Sequence, residues 1–140
     1  MTIRQLTVYS TNKKGALAET TAALASAGID MRSICVADTE DFGVFRIITK
    51  EIDKALPLLK EQGFSVCAIN VVAVQLANVP GELNRVLQML NSADINIEYM
   101  YSIINKNEDK AYMAFRVTDN DATEALLKKN GFEILSEKDL

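Results

Sequence analysis

Four blocks of this chain occur twice, in the same order. Gly15-Ala16-Leu17 returns as Gly81-Glu82-Leu83, and Gly28-Ile29-Asp30-Met31 returns as Asp94-Ile95-Asn96-Ile97, both 66 residues on. Phe45-Arg46-Ile47 returns as Phe115-Arg116-Val117 after 70 residues, and the Leu58–Phe64 stretch returns as Leu126–Phe132 after 68. Internal repetition on this scale means one small fold used twice. It divides the 140 residues into domains 1–69 and 70–140. Each half alone would have a marginal core, so the two are expected to pack on each other.

Periodicity gives each half the same element order. Ile3 to Tyr9 alternates as a strand, Ala16 to Ala27 is rich in helix-forming Ala and Leu, and Gly28 stands at a helix C-terminus. Strands follow at Ile29–Val36 and Val44–Thr49, then a helix within Glu51–Gln62 and a short strand at Phe64–Cys67. Pro57 implies a late or distorted start to that helix, because proline removes a backbone donor. The second half reads as strand Val71–Ala77, helix Pro80–Ser92, strands Ile95–Ile104 and Ala111–Thr118, helix Asp121–Lys129 and strand Phe132–Leu135. The expected fold class is α+β: two ferredoxin-like βαββαβ repeats, their antiparallel sheets packed or joined side by side, with helices on one face. Ala68-Ile69-Asn70 offers no flexible linker between them.

Composition narrows the function. The chain has no histidine, which removes the commonest general base and metal ligand, so neither a catalytic residue nor a metal site is expected, and no cofactor. Net charge is −4, with no basic footprint for nucleic acid. No apolar run is long enough to span a membrane, and no secretion signal precedes the first strand, so a cytoplasmic protein is expected. Cys35 and Cys67 lack a CxxC spacing and sit in apolar strand patterns, as buried free thiols do.

The glycine corners carry the functional signal. The first half has Asn12-Lys13-Lys14-Gly15-Ala16-Leu17, then Ile29-Asp30-Met31; the second has Asn78-Val79-Pro80-Gly81-Glu82-Leu83, then Ile95-Asn96-Ile97. A helix start offers unsatisfied N–H groups and the positive end of a dipole, which suits a carboxylate. Gly15 and Gly81 let a ligand approach the backbone, Pro80 suits a helix start, and Asp30 or Asn96 would meet an ammonium. Plainer readings stand beside these: Asn12 and Asn78 as turn residues, Leu17 and Leu83 as core, Glu82 and Asp94 as ordinary turn or helix-end charges. Arg46 and Arg116 recur on a strand face expected to be solvated. Ile34, Val36, Val44, Ile48, Met100 and Tyr112 are read as sharing that face, and so much apolar area predicts a homodimer.

The doubled pattern resembles the ACT domain, the small regulatory module attached to many amino-acid biosynthetic enzymes. The resemblance covers essentially the whole chain. It implies a non-catalytic sensor that binds a free amino acid between its two domains and regulates amino-acid metabolism through a metabolic enzyme or regulator. The implied ligand-binding residues are Asn12, Lys14, Gly15, Ala16, Leu17, Asp30 and Met31 in the first copy. In the second they are Asn78, Pro80, Gly81, Glu82, Leu83, Asn96 and Ile97. The exchange of Asp30 for Asn96, and of Lys13-Lys14 for Val79-Pro80, implies two unequal sites. A detached regulatory subunit, such as the small subunit of acetolactate synthase, is the alternative.

Overall fold

The computed structural model describes residues 2–11, 13–38 and 40–140. The chain separates into two compact units, Arg4–Ile69 and Asn70–Leu140, with the first residues up to Ile3 grouped in the second. In the first unit, β1 (Ile3–Thr11), α1 (Ala16–Ser26), β2 (Ser33–Asp38), β3 (Phe42–Ile48) and α2 (Ile52–Glu61) precede β4 (Ser65–Ala77). The second unit continues through α3 (Glu82–Ser92), β5 (Ile97–Ile103), β6 (Lys110–Val117), α4 (Asn120–Lys129) and β7 (Glu133–Ile134), and ends in a short 3₁₀ turn at Glu137–Asp139. Strand β3 lies between β1 and β2, and β6 lies between β4 and β5, all antiparallel.

The expected pair of strands at Phe64–Cys67 and Val71–Ala77 is one strand, β4, running from Ser65 to Ala77. Ala68-Ile69-Asn70 contains no glycine or proline to break it, so the join is itself extended. Helix α2 starts at Ile52, and Pro57 sits inside it rather than in its first turn. Ile52, Ala55 and Leu59 are buried along this helix. Their burial offsets the hydrogen bond that the proline removes.

Both helices of each unit cover the same sheet face. Leu6, Val8, Phe45 and Ile47 of the first sheet pack with Ala23 and Leu24 of α1 and Ala55 and Leu59 of α2. Val72, Val74, Phe115 and Val117 pack with Val86, Leu90 and Leu127. This is the alternation that the strands' period of two requires.

Strand register corrects two sequence expectations. Leu6 pairs with Ile47, whereas its counterpart Val72 pairs with Phe115. Phe115 therefore occupies the position of Ile47, and the structural offset in this strand is 68 rather than 70. The shift is even, so it leaves every side chain on its face. Second, Ile34 pairs with Ile47, Val36 with Phe45 and Met100 with Phe115. Antiparallel partners share a face, so these three belong to the helix-covered side and not to that of Arg46 and Arg116. Arg116 is not simply solvated: its Nε lies 3.4 Å from Glu98 Oε2, and it donates to the Asn70 carbonyl at 3.3 Å. Cys35 and Cys67 are free thiols but half-buried, not buried.

Candidate functional site

The two glycine corners have nearly identical backbones. Gly15 has φ 91° and ψ −14°, and Gly81 has φ 90° and ψ −16°. Left-handed backbone of this kind favours glycine. A Cβ built at either position would meet nothing within 4 Å, so conformation rather than crowding demands the residue. Neither helix is capped by a side chain. At α1 the backbone N–H groups of Leu17 and Ala18 meet no partner among the described residues. A carboxylate placed there would gain hydrogen bonds and the favourable end of the dipole.

The first corner opens on a cavity of about 170 Å³ lined by Thr11, Lys13, Ala16, Leu17, Val36, Asp38, Gly43 and Phe45. Sheet register explains the meeting. Ser10 pairs with Gly43, which pairs with Asp38, so the end of β2 lies in the same cross-strand row as the end of β1. Of the residues that the resemblance implied as ligand-binding, Ala16 and Leu17 line this cavity, whereas Lys14 is exposed and not in the lining. Lys13 and Asp38 are in it: the sequence offered Lys13 only as an exchange between the two copies, and Asp38 only as the start of a solvated acidic hairpin tip. Neither side chain has an ion-pair partner among the described residues. Asn12 lies outside the described residues.

Asp30 and Met31 precede the opposite end of β2. Ser33 pairs with Ile48, whereas Asp38 pairs with Gly43 at the other end of the same two strands. The strand between them spans roughly 17–20 Å at ~3.3 Å per residue. The charged groups of an α-amino acid are far closer together than that, so Asp30 and the Gly15 corner of one unit do not touch one ligand. The Asp30 carboxylate lies 3.7 Å from Arg32 Nη1, and its backbone N–H donates to Glu51 at 3.4 Å. Met31 packs on the first core.

At the second corner the same turn is engaged differently. The Asn78 side chain donates to the Glu108 carbonyl at 2.8 Å, and its backbone N–H donates to the Asp109 carbonyl at 2.9 Å. Asn78 thus ties the corner to the β5–β6 hairpin. That hairpin is ordered by its own asparagines: Asn105 accepts from the Asn107 N–H, and Asn107 accepts from the Asp109 N–H. Pro80 is exposed, and Leu83 packs on the second core. Glu82 pairs with Arg85 at 3.2 Å, and the Arg85 guanidinium lies over the Phe132 ring at 4.7 Å.

Glu82 and Arg85 also line a cavity of about 330 Å³ with Gln75, Lys110 and Phe132, on the α4 side of α3. Its counterpart in the first unit, about 350 Å³, is lined by Tyr9, Lys13, Glu19, Gln62 and Phe64. Asp94 holds the left-handed position after α3, φ 57°, where Gly28 with φ 67° follows α1. Asp94 is thus a helix-end residue. Asn96 lies beside it in a shallow cleft with Asn91 and Ile95. Its carbonyl accepts from the Thr118 N–H at 3.2 Å, and Ile97 packs on the second core.

No group of three or more acidic or cysteine side chains suited to a metal ion exists among the described residues. Nor does any helix among them have the length and apolarity to cross a membrane.

Two βαββαβ units, each with a left-handed glycine before its first helix, define a tandem repeat of one small fold. The chain belongs to the ACT domain pair family, which it matches over residues 1–140. It is similar to protein BT0572 from Bacteroides thetaiotaomicron, with 36% identity, a TM-score of 0.92 and coverage of 99% of this chain and 95% of that one. Its fold is also that of the ligand-free regulatory subunit of aspartate kinase from Thermus thermophilus, with a TM-score of 0.63, 18% identity and coverage of 91% and 92%. No curated protein matches the chain.

Proposed function

We propose that this ACT domain pair is a non-catalytic sensor of a free amino acid and that it regulates amino-acid metabolism. The observation that carries this reading is the first glycine corner. An uncapped helix start opens there beside a cavity bearing one cation, Lys13, and one anion, Asp38. A zwitterion needs both charges close together, and its carboxylate is suited to the unsatisfied N–H groups of α1. Within the first unit, Asp30 precedes the far end of β2 and is too distant to share a ligand with the Gly15 corner. A thermal-shift screen against the twenty amino acids tests the proposal, since a ligand of the folded state raises the melting temperature with occupancy. No shift with any of them at millimolar concentration contradicts it.

A partner enzyme or regulator would read the bound state, and by linkage it must alter ligand affinity in return. The fold shared with a regulatory subunit of aspartate kinase supports the reading of a detached subunit, and acetolactate synthase is another enzyme of that kind. Co-purification of a catalytic subunit favours it. We further propose a homodimer, on the ground that Ile34 on β2 and Phe42 on β3 leave apolar side chains exposed. Light scattering at micromolar concentration that gives a monomer mass counts against it.

A further inference from the structure

We infer that the first glycine corner alone binds the amino acid, and that it selects a small or medium apolar side chain. This rests on the reading of the chain as an amino-acid sensor and adds the ligand's class and the number of sites.

The lining of the first corner holds apolar side chains together with its two charges. Leu17 and Val36, 39% and 48% exposed, line it with Ala16 and the core residue Phe45. Exposed aliphatic side chains around a cavity of about 170 Å³ are the surface that a ligand's hydrocarbon would remove from water. Asp38 is placed to take the ammonium. Lys13 and the α1 N–H groups are placed to take the carboxylate. A charged ligand side chain would lose water against Leu17, Val36 and Phe45 without gaining a partner there.

The second corner has lost this chemistry. Offsets of 66 in β1, the α1 start and β2, and of 68 in β3, follow from the paired registers. They place Val79 where Lys13 stands, Ile104 where Asp38 stands, Ser102 for Val36 and Glu82 for Ala16. Both charged head-group partners are thus replaced by hydrocarbon, with Val79 and Ile104 58% and 66% exposed. Glu82 stands in the first turn of α3 where Ala16 stands in α1, and its carboxylate is engaged by Arg85 at 3.2 Å. The turn asparagine Asn78 is already committed to the hairpin.

Isothermal titration of the full chain with L-leucine, L-valine, L-lysine and L-glutamate tests this. The expected result is one L-leucine or L-valine per chain, bound at least tenfold more tightly than L-lysine or L-glutamate. Asp38→Asn and Lys13→Gln each weaken binding about tenfold or more, whereas Ile104→Asn leaves it unchanged. Circular dichroism confirms that the variants fold. Equal or tighter binding of L-lysine or L-glutamate overturns the apolar class while amino-acid sensing stands. Two ligands per chain, or full affinity in Asp38→Asn, overturns the single-corner assignment. Absence of binding by all twenty amino acids removes both this inference and the function on which it rests.

Discussion

The two units share a backbone and differ at the corner where the family's glycine stands. In the first, Asp38 at the end of β2 lines one cavity with Lys13 and with Ala16 and Leu17 of the helix start. In the second, the hairpin is two residues longer, its asparagines organise the tip, and Asn78 fastens the turn to it. Duplication kept the frame, meaning the left-handed glycine, the uncapped helix and the sheet register. The charged residues Lys13 and Asp38 have no charged counterparts: Val79 and Ile104 stand in their places. A shared corner geometry leaves the chemistry open; the side chains placed on it decide what the corner can bind.

The largest expected effect separates frame from site. Phe115 is fully buried in the second core, and Phe115→Ala is expected to cost about 3–5 kcal/mol in urea denaturation. Next are the head-group partners: Asp38→Asn should cost about 1.5–3 kcal/mol of ligand binding with little change in stability. If Ile104→Asn weakens binding as much, the contrast between corners fails. Gly15→Ala and Gly81→Ala should each cost about 1–2 kcal/mol of stability, because both force a side chain into left-handed backbone. Unequal costs there would show that the two frames are not equivalent. Asp94→Gly should stabilise by about 0.5–1 kcal/mol, since glycine suits the left-handed helix end that Gly28 already occupies in the first unit.

The smallest effect is electrostatic and belongs to the first unit. Arg4 grips Asp53 through two hydrogen bonds of 2.7 and 3.2 Å. The Arg4 guanidinium holds the Asp53 carboxyl below its ordinary 3.8. A lowered carboxyl stabilises the fold above its ordinary range, and that contribution fades as pH falls through the lower folded-state value. Arg4→Gln should flatten this acid-side loss in pH-dependent denaturation. The pair is exposed, so the change will be small.

Much of the frame was legible because it rests on local pattern. Period-two strands, Ala- and Leu-rich helices and the recurring glycines are read directly from neighbouring residues. The continuous β4 was hidden because a strand without breakers looks the same whether it ends one unit or begins the next. The corner residues Ala16 and Leu17 could be read from the repeated motif. Lys13 showed only as an exchange between the copies, and Asp38 could not be read as a corner residue: it reaches the corner through Gly43 and Ser10, and cross-strand register is not written in local spacing. One clue was present, the 66-to-68 change in offset, which reports the longer second hairpin that separates the two corners. The Arg85–Phe132 contact was similarly invisible, since it joins α3 to the turn between α4 and β7.

The most direct measurement is the stoichiometry of L-leucine binding by calorimetry in the wild-type chain and in Asp38→Asn. The account predicts one ligand per chain in the first and a loss of about tenfold or more in affinity in the second. Two identical sites, or binding indifferent to Asp38, would contradict it.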